Sequence, residues 1–281
     1  MGFGFEDGGR SISAVTLKAE KNSTMTVIED FTGGRAAEAS ATAEPAGRNS
    51  SDADAKGFAA VQTKLDVEEG AVLRLIQIQR LGSGYTFLND IGGRVGDRGR
   101  VELIHIILDG DQTYLGVQID LAGYKASLKA DTAYRVKGTG NLDINYFANH
   151  TGKKTECELN ADGVLRDQAK KVFRGTIDFK RGSSGSVGNE KEDVLMIDDT
   201  VRSQTLPVIL CSEEDVVGNH GATIGRLDES VLFYLESRGM SREAVYEMMA
   251  DARIAKVVHL IEDEKTRAEL EAYLSGKGSE E

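Results

Sequence analysis

The chain has 281 residues, of which 40% are hydrophobic and 28% charged, a composition that allows a sizeable buried core. Its formal net charge of −12 argues against nucleic acids and anionic membrane surfaces as partners, because both attract clustered lysine and arginine. The 2 cysteines exclude a disulfide framework, and the 32 glycines with only 2 prolines favour many tight turns between short strands.

The start of the chain and its apolar runs bear on localisation. The stretch MGFGFEDGGRS lacks the basic and then apolar pattern of a secretory signal. The longest apolar runs, such as LIHIIL at 103–108, are too short to span a bilayer. We therefore expect a soluble, cytoplasmic protein.

Between about Thr16 and Gly225 the hydropathy pattern has mostly a period of two, which is typical of strands with one buried face. Residues 115–121, LGVQIDL, are one example, and turn signals such as Asp109-Gly110 separate the runs. A weak repeat links residues 67–82 and 95–110, since both read as an acidic turn, a glycine and an alternating strand. The pattern fits a sandwich, a barrel or a β-solenoid, and it disfavours an α/β fold.

One segment interrupts the alternation. Residues 36–57, AAEASATAEPAGRNSSDADAKG, are small and polar, and they cannot bury enough apolar surface to offset the entropy of ordering. The segment is therefore predicted to be a mobile loop, with an exposed alanine-rich helix as the alternative.

After Gly225 the pattern becomes helical. Asp228 and Ser241 are suitable N-caps for two helices, and Gly239 suits the end of the first. A third helix is expected from about Glu262 to Leu274. We therefore divide the chain into a β domain at 1–225 and a helical subdomain at 226–281.

The sequence contains no motif for a P-loop, a nucleophile elbow or a zinc protease, which predicts a protein that is not an enzyme. His105 reads as a strand residue, His150 as a turn residue and His259 as a structural residue beside a helix. Cys211 and His220 pair a thiolate with an imidazole, but two candidates do not make a four-ligand metal site.

Cys157 and the low aromatic content each bear on one further interpretation. Cys157 lies in an expected strand and reads as an inert, packed thiol. A β-solenoid enzyme acting on polysaccharide is a remote alternative, because such sites use aromatic platforms and this chain has no Trp and 6% aromatics.

The stretch HGATIGRLDESVLFYLESRGMSREA, which begins at His220, closely resembles the signature of the SufB/SufD family. These proteins are the paired scaffold subunits of the SUF iron–sulfur cluster assembly machine. The segments INYFANHTGKKTECE, VFRGTIDF and VLMIDDT also match, so the resemblance extends roughly from Leu65 to Ile254. It implies a right-handed parallel β-helix followed by a small α-helical subdomain.

The resemblance favours the SufD branch. SufB-like members carry a cysteine where this chain has Glu192 and a glutamate where it has Gly221, and both are implicated in building the nascent cluster. His220 matches the residue proposed to act at the SufB–SufD interface, which implies an iron or cluster ligand. Many SufD sequences have a cysteine where this chain has Gly218, so no thiol is expected there. Cys211 and Glu192 are the weaker metal candidates.

The resemblance also implies partners. Family members bind a SufC-type ABC ATPase through the C-terminal region, and they pair with a paralogue through the β-helix. The residues expected to contact the ATPase are Leu232, Phe233, Val245 and Met248. The implied function is a non-enzymatic SufD-like scaffold subunit that shares a transient iron–sulfur cluster with a SufB-like partner. The alternative is a homodimeric, SufB-like scaffold that carries the cluster itself. A reduced flavin, implied for some complexes of the family, has no assigned site in this sequence.

Overall fold

The computed structural model describes residues 1–6, 8–33, 56–82 and 84–275. The loop expected at 36–57 lies outside these residues, apart from Lys56 and Gly57. The strands are β1 (Gly2–Phe5), β2 (Arg10–Ala19), β3 (Thr24–Gly33), β4 (Gly57–Val67), β5 (Val72–Arg80), β6 (Tyr85–Val95), β7 (Arg100–Asp109), β8 (Gln112–Leu121), β9 (Ser127–Val136), β10 (Asn141–His150), β11 (Glu156–Leu165), β12 (Lys170–Phe179), β13 (Ser186–Met196), β14 (Arg202–Cys211) and β15 (Val216–Gly225). The helices are α1 (Glu229–Glu236), α2 (Arg242–Val258) and α3 (Glu264–Leu274).

The strands form two parallel sheets between which the chain alternates. Odd-numbered strands build one sheet in the order β1 to β15, and even-numbered strands build the other in the order β2 to β14. Asn141 of β10, for example, pairs with Gln112 of β8 on one side and Lys170 of β12 on the other. The result is a β-solenoid of about 7 turns, which confirms the predicted parallel β-helix over a sandwich or barrel. The repeat seen at 67–82 and 95–110 corresponds to the neighbouring strands β5 and β7.

The interior of the solenoid is filled by the alternate, inward-facing residues of both sheets. In β8 the side chains of Leu115, Val117 and Ile119 are buried, as the period of two predicts. Phe173 and Phe179 of β12 are also fully buried in this core. Burial of each such side chain stabilises the fold by about 1.5–3 kcal/mol, so the stack of turns carries most of the hydrophobic stabilisation.

The corners that lead from an even strand to the next odd strand stack on one another. Each of the corners from β2–β3 to β12–β13 contains a positive-φ residue that stacks with the others: Asn22, Gly70, Arg98, Lys125, Lys154 and Gly185. The amide of Arg98 donates to the carbonyl of Tyr124 at 2.7 Å, and the amide of Lys125 donates to that of Lys153 at 3.0 Å. These bonds continue the sheet ladders around the corner, so backbone groups that leave the strands still find partners.

The three helices pack against the outer face of the odd sheet. Their buried residues share one apolar cluster with strands of that sheet: Ile76, Ile78, Ile104, Ile106, Leu108, Ala133, Val164, Leu195, Leu232, Val245, Tyr246, Ala250, Ile254, Val257, Val258, Ile261 and Leu270. Ion pairs flank the cluster, with Lys256 of α2 2.7 Å from Asp162 and Arg253 2.5 Å from Asp193. The helical region therefore lies on the side of the solenoid and leaves its C-terminal end uncovered.

The helix ends follow the expected capping chemistry. The Asp228 carboxylate accepts a hydrogen bond from the amide of Ser230, and the Ser241 hydroxyl accepts one from the amide of Ala244. Gly239, with φ of 92°, provides the left-handed position after α1. Asp263 caps α3, which begins two residues later than about Glu262, the start that the sequence predicted.

Candidate functional site

The last turn of the solenoid, formed by β14 and β15 and called here the open turn, is exposed to solvent. β14 ends the even sheet and β15 ends the odd sheet, so each has one edge without a neighbouring strand among the described residues. Every residue of the two strands is exposed or half-buried, whereas β12 and β13 alternate with buried positions. Leu206, Val208 and Leu210 are exposed on the outer face of β14. Such edges are templates for pairing with another chain.

His220 lies in the middle of β15, on the face that points into the solenoid. Its register partner on β13 is Glu190, and register partners on adjacent strands present their side chains to the same face. Because no further turn of the described residues covers β15, the imidazole is exposed, and none of these residues bonds to its ring. A Cβ at the following residue, Gly221, would meet nothing within 4 Å. The backbone around His220 is therefore open to close approach by another chain.

A charged network lies directly beneath the open turn. The Lys171 ammonium of β12 donates to Oε1 of Glu192 on β13 at 2.5 Å, and both side chains are fully buried. The Tyr134 hydroxyl donates to the same oxygen at 2.9 Å, and the Thr205 hydroxyl donates to Oε2 at 2.5 Å. Lys171 also donates to Thr205 Oγ1 at 3.1 Å and to the Gln204 carbonyl at 3.3 Å. All three ammonium donors and both carboxylate oxygens therefore have partners.

Burial and charge act in opposite directions on the pKa of Lys171 and in the same direction on the pKa of Tyr134. Burial lowers the pKa of the Lys171 ammonium, and the adjacent Glu192 carboxylate opposes that lowering. Burial and the same carboxylate raise the pKa of the Tyr134 hydroxyl well above its usual value, so Tyr134 stays a neutral donor. The arrangement holds one positive and one negative charge in the core with their hydrogen bonds satisfied, which is what a buried ion pair requires.

Glu190 is a second carboxylate in the same turn, and its bonding is incomplete. The residue is 5% exposed, and its Oε2 has no hydrogen-bond partner. Burial and the Glu192 charge raise the pKa of Glu190 to about 7, whereas Lys171 acts to lower it. Gly175 of β12 faces this carboxyl group, and a Cβ there would lie 2.3 Å from its carboxyl carbon. Glycine at 175 therefore provides the space that the Glu190 carboxylate occupies.

The three predicted metal candidates are not brought together as one ligand set. His220 and Glu192 lie on adjacent strands, but both Glu192 oxygens are engaged in the charged network. Cys211 is exposed at the end of β14, where its thiol donates to the Glu213 carbonyl at 3.0 Å. Within the described ranges, no group of three or more His, Cys, Asp and Glu side chains could hold a metal ion.

The remaining histidines and Cys157 are structural. His105 is a buried strand residue, as predicted: its Nδ1 lies 2.6 Å from the Tyr146 hydroxyl, and burial lowers its pKa to about 3. His150 is the last residue of β10 and is fully buried, so its prediction as a turn residue is wrong. His259 is the exposed C-cap of α2. Cys157 is buried, which confirms a packed thiol, and burial raises its pKa to about 12.

The four helical residues expected to contact a partner divide into two pairs. Leu232 and Val245 are fully buried in the cluster between helices and sheet, because they lie on the faces that cover the solenoid. Phe233 is 75% exposed on α1 and Met248 is 43% exposed on α2. Only the latter pair is available for another protein. No helix of the described residues has the length and apolar content needed to cross a bilayer.

Sequence reasoning missed Lys171 and Glu190. A signal was present, because Lys171 shares the inward parity of Phe173, and Glu190 shares that of Glu192 and Val194. A charged residue at an inward position of an alternating strand is a candidate for a buried polar site.

The chain matches a known protein family over most of its length. The family model described as SUF system FeS cluster assembly, SufBD core domain, matches residues 5–253. The chain belongs to this SufBD core family. The family supplies components of the SUF system for iron–sulfur cluster assembly, and the expected SufB/SufD membership, closer to SufD, is confirmed.

Several SufBD relatives align with parts of the chain. The iron–sulfur cluster assembly protein SufD of Bacillus subtilis is 29% identical over 204 residues, covering 71% of this chain and 46% of that protein. SufD of Escherichia coli is 28% identical over 111 residues, covering 40% and 26%. An iron–sulfur cluster assembly SufBD family protein of Mycobacterium bovis is 32% identical over 100 residues, covering 36% and 12%. The chain thus spans less than half the length of these SufBD relatives.

Proposed function

We propose that this SufBD chain is a non-enzymatic, SufD-like subunit of a cytoplasmic iron–sulfur cluster assembly scaffold. The observation that carries the proposal is the open turn, which combines two unpaired strand edges with an exposed, inward-facing His220. In this role residues 1–225 form the scaffold domain and residues 226–281 form the subdomain that meets the ATPase. The iron–sulfur cluster is the cargo, and it is held transiently between subunits.

Pairing through the open turn is the first part of the proposal. A SufB-like paralogue would add its own edge strands to β14 and β15, which supplies hydrogen-bond partners to the exposed backbone groups. Leu206, Val208 and Leu210 would be buried in the same step. His220 would then face the partner subunit, whose side chains would complete a coordination sphere that the described residues of one chain do not form. A second copy of this chain is the alternative partner.

Contact with a SufC-type ABC ATPase is the second part of the proposal. The outer face of α2 presents Ala244, Met248 and Ala252, which are exposed at a helical spacing of four residues. Phe233 of α1 is the most exposed of the large apolar side chains in the two helices. A large exposed aromatic ring and a methionine are typical anchors of protein–protein interfaces.

Charge reversal of an apolar edge residue tests the pairing. Leu210→Lys places an ammonium group on the outer face of β14, and we expect it to weaken association with the SufB-like partner by roughly tenfold or more. Leu88→Lys is the matched control, because Leu88 is similarly exposed on the even sheet but lies on the interior strand β6. Association is measured by light scattering of the mixed proteins. Equal weakening by both variants would contradict pairing through the open turn.

Truncation of the two exposed helical side chains tests the ATPase contact. The double variant Phe233→Ala, Met248→Ala should lose about tenfold or more in affinity for a SufC-type ATPase, because exposed apolar anchors dominate such interfaces. Leu88→Ala removes an exposed leucine elsewhere and should leave the affinity unchanged. Failure of the parent chain to bind the ATPase would refute this part of the proposal.

Replacement of the histidine tests the cargo site. His220→Ala should reduce cluster formation by the reconstituted complex while leaving its assembly intact, because the exposed ring bonds to no described residue. Cluster formation is followed by the visible absorbance of the assembled complex under anaerobic conditions. Unchanged cluster formation would assign His220 to a structural role.

A further inference from the structure

Glu190 is a buried carboxylate that lies one strand away from His220. The two residues are register partners on β13 and β15, so their side chains leave the sheet on the same, inward face. Neighbouring strands are about 4.8 Å apart, a separation at which an imidazole and a carboxylate can reach one metal ion. Glu190 therefore belongs to the same local site as His220.

The bonding of Glu190 differs from that of Glu192, two residues further along β13. Glu192 accepts hydrogen bonds at both oxygens, from Tyr134, Lys171 and Thr205. Glu190 Oε2 is buried and accepts none from the described residues. Burial of an unpaired polar group is unfavourable by about 1–3 kcal/mol, and more for a charged one, so such a group calls for a partner.

The cations nearby are already committed. The ammonium of Lys171 uses all of its donors on Glu192, Thr205 and the Gln204 carbonyl. No ion pair joins any described cation to Glu190. Glycine at 175 nevertheless keeps free the space that the Glu190 carboxyl group occupies. The fold thus maintains a buried carboxylate, without a cation of its own, beside an exposed imidazole.

We propose that Glu190 and His220 are two neighbouring ligands for a divalent iron ion, and that the partner subunit supplies the others. An imidazole nitrogen and a carboxylate oxygen form a ligand pair that suits Fe²⁺. This inference rests on the proposed scaffold function, and it names Glu190 as the carboxylate of the site in place of Glu192. Glu192 has the role of holding Lys171 and Tyr134 beneath the site.

The test uses the full chain and follows its imidazole signals by NMR. The chain has 4 histidines, so His220 can be assigned by comparison with His220→Ala. Co²⁺ is the probe, because it is paramagnetic, stable in air and accepts similar ligands. We expect Co²⁺ to broaden the His220 signals first and to leave buried His105 and His150 unaffected. Broadening of exposed His259 in preference to His220 would overturn the assignment.

Glu190→Gln is the decisive variant, because it keeps the shape of the side chain and removes its charge. We expect it to weaken the Co²⁺ effect on His220 by about tenfold or more, which corresponds to about 1.4 kcal/mol. Glu156→Gln, which removes an exposed carboxylate from β11, is the matched control and should leave the titration unchanged. Thermal unfolding of both variants confirms that they are folded. A Glu190→Gln titration equal to that of the parent would refute the proposal.

Failure of the metal site and failure of the scaffold function give different experimental results. One outcome is that the parent and Glu190→Gln both assemble with the ATPase and the SufB-like partner and also bind Co²⁺ with equal affinity. That result would support the scaffold function and refute the role of Glu190 as a metal ligand. If Co²⁺ binding depends on Glu190 and His220 but the chain forms no complex with the ATPase or the SufB-like partner, the metal site is supported and the scaffold function is refuted. The Co²⁺ result is finally repeated with Fe²⁺ under anaerobic conditions.

Discussion

Replacement of Lys171 by methionine removes the cation of the buried network while filling a similar volume. In the parent, the ammonium group is fully buried and donates to Glu192, Thr205 and the Gln204 carbonyl. The variant leaves the Glu192 carboxylate in the core with two hydroxyl donors and no positive charge. We therefore expect a large loss of stability from a single exchange inside β12.

The expected change in the free energy of unfolding depends on whether one charge of the buried pair is removed or both are. Loss of one partner typically destabilises by about 3–5 kcal/mol, because the remaining charge is uncompensated. The double variant Lys171→Met, Glu192→Gln removes both charges, keeps an acceptor for Tyr134, and loses the Lys171 hydrogen bonds to Thr205 and to the Gln204 carbonyl. At about 1 kcal/mol for each lost hydrogen bond, that variant should lose only about 2 kcal/mol. The double variant should thus be more stable than the single one.

Denaturant unfolding near neutral pH, followed by circular dichroism, measures both effects. Lys170→Met is the matched control, since Lys170 is the exposed neighbour on the same strand, and its change should stay within about 0.5 kcal/mol. A Lys171→Met protein as stable as the control would show that the pair contributes little. A double variant less stable than the single one would refute the reasoning about the uncompensated charge.

Three further predictions concern the core, the helix contact and the response to acid. Gly163→Ala would place a methyl group 2.0 Å from the buried Tyr134 ring, so unfolding experiments should show a loss of about 1–3 kcal/mol, and a neutral result would contradict this packing. Lys256→Ala leaves buried Asp162 without its ion pair at 2.7 Å, and amide exchange in α2 should accelerate, with unchanged exchange as the contrary result. Burial lowers the pKa of His105 in the folded chain to about 3, so the unfolded chain takes up a proton first and the free energy of unfolding falls as the pH drops from about 6.5. At about pH 5 the parent should have lost about 2 kcal/mol more than the His105→Gln variant. Equal losses in the two proteins would argue against a buried neutral imidazole.

The sequence predicted the faces of the strands better than their pairing. A period of two identifies which residues point inward, and the buried set in β8 follows it. The same period left a sandwich and a barrel open, because alternation within one strand does not say which strand lies beside it. The family resemblance resolved the architecture, since its motifs belong to a known parallel β-helix. His150 was misjudged because β10 extends one residue further than expected: His150 still pairs with Leu121 of β8 and Phe179 of β12, and it is buried at an inward-facing position.

The candidate site was predicted in part. The motif around His220 gave its position, because the resemblance covers that stretch residue by residue. The charged network escaped prediction for a physical reason: which residue of β12 faces a residue of β13 depends on the length and shape of the corner between them. The contacts of Glu190 with Gly175 and of Glu192 with Lys171 are therefore properties of the coiled chain and not of any one segment.

The last covered turn of the solenoid differs from most earlier turns in the charges that it buries. Earlier turns bury mainly apolar side chains, whereas the last covered turn buries Lys171, Glu190 and Glu192. A covering turn would have to enclose Glu190 and His220 together and supply a partner for the Glu190 oxygen that has none among the described residues. An edge that carries leucine and valine outward, as β14 does, lacks the lysines with which many proteins protect their edge strands. We infer that the covering element is another subunit, because an added chain could pair both edges and supply ligands to the site they enclose.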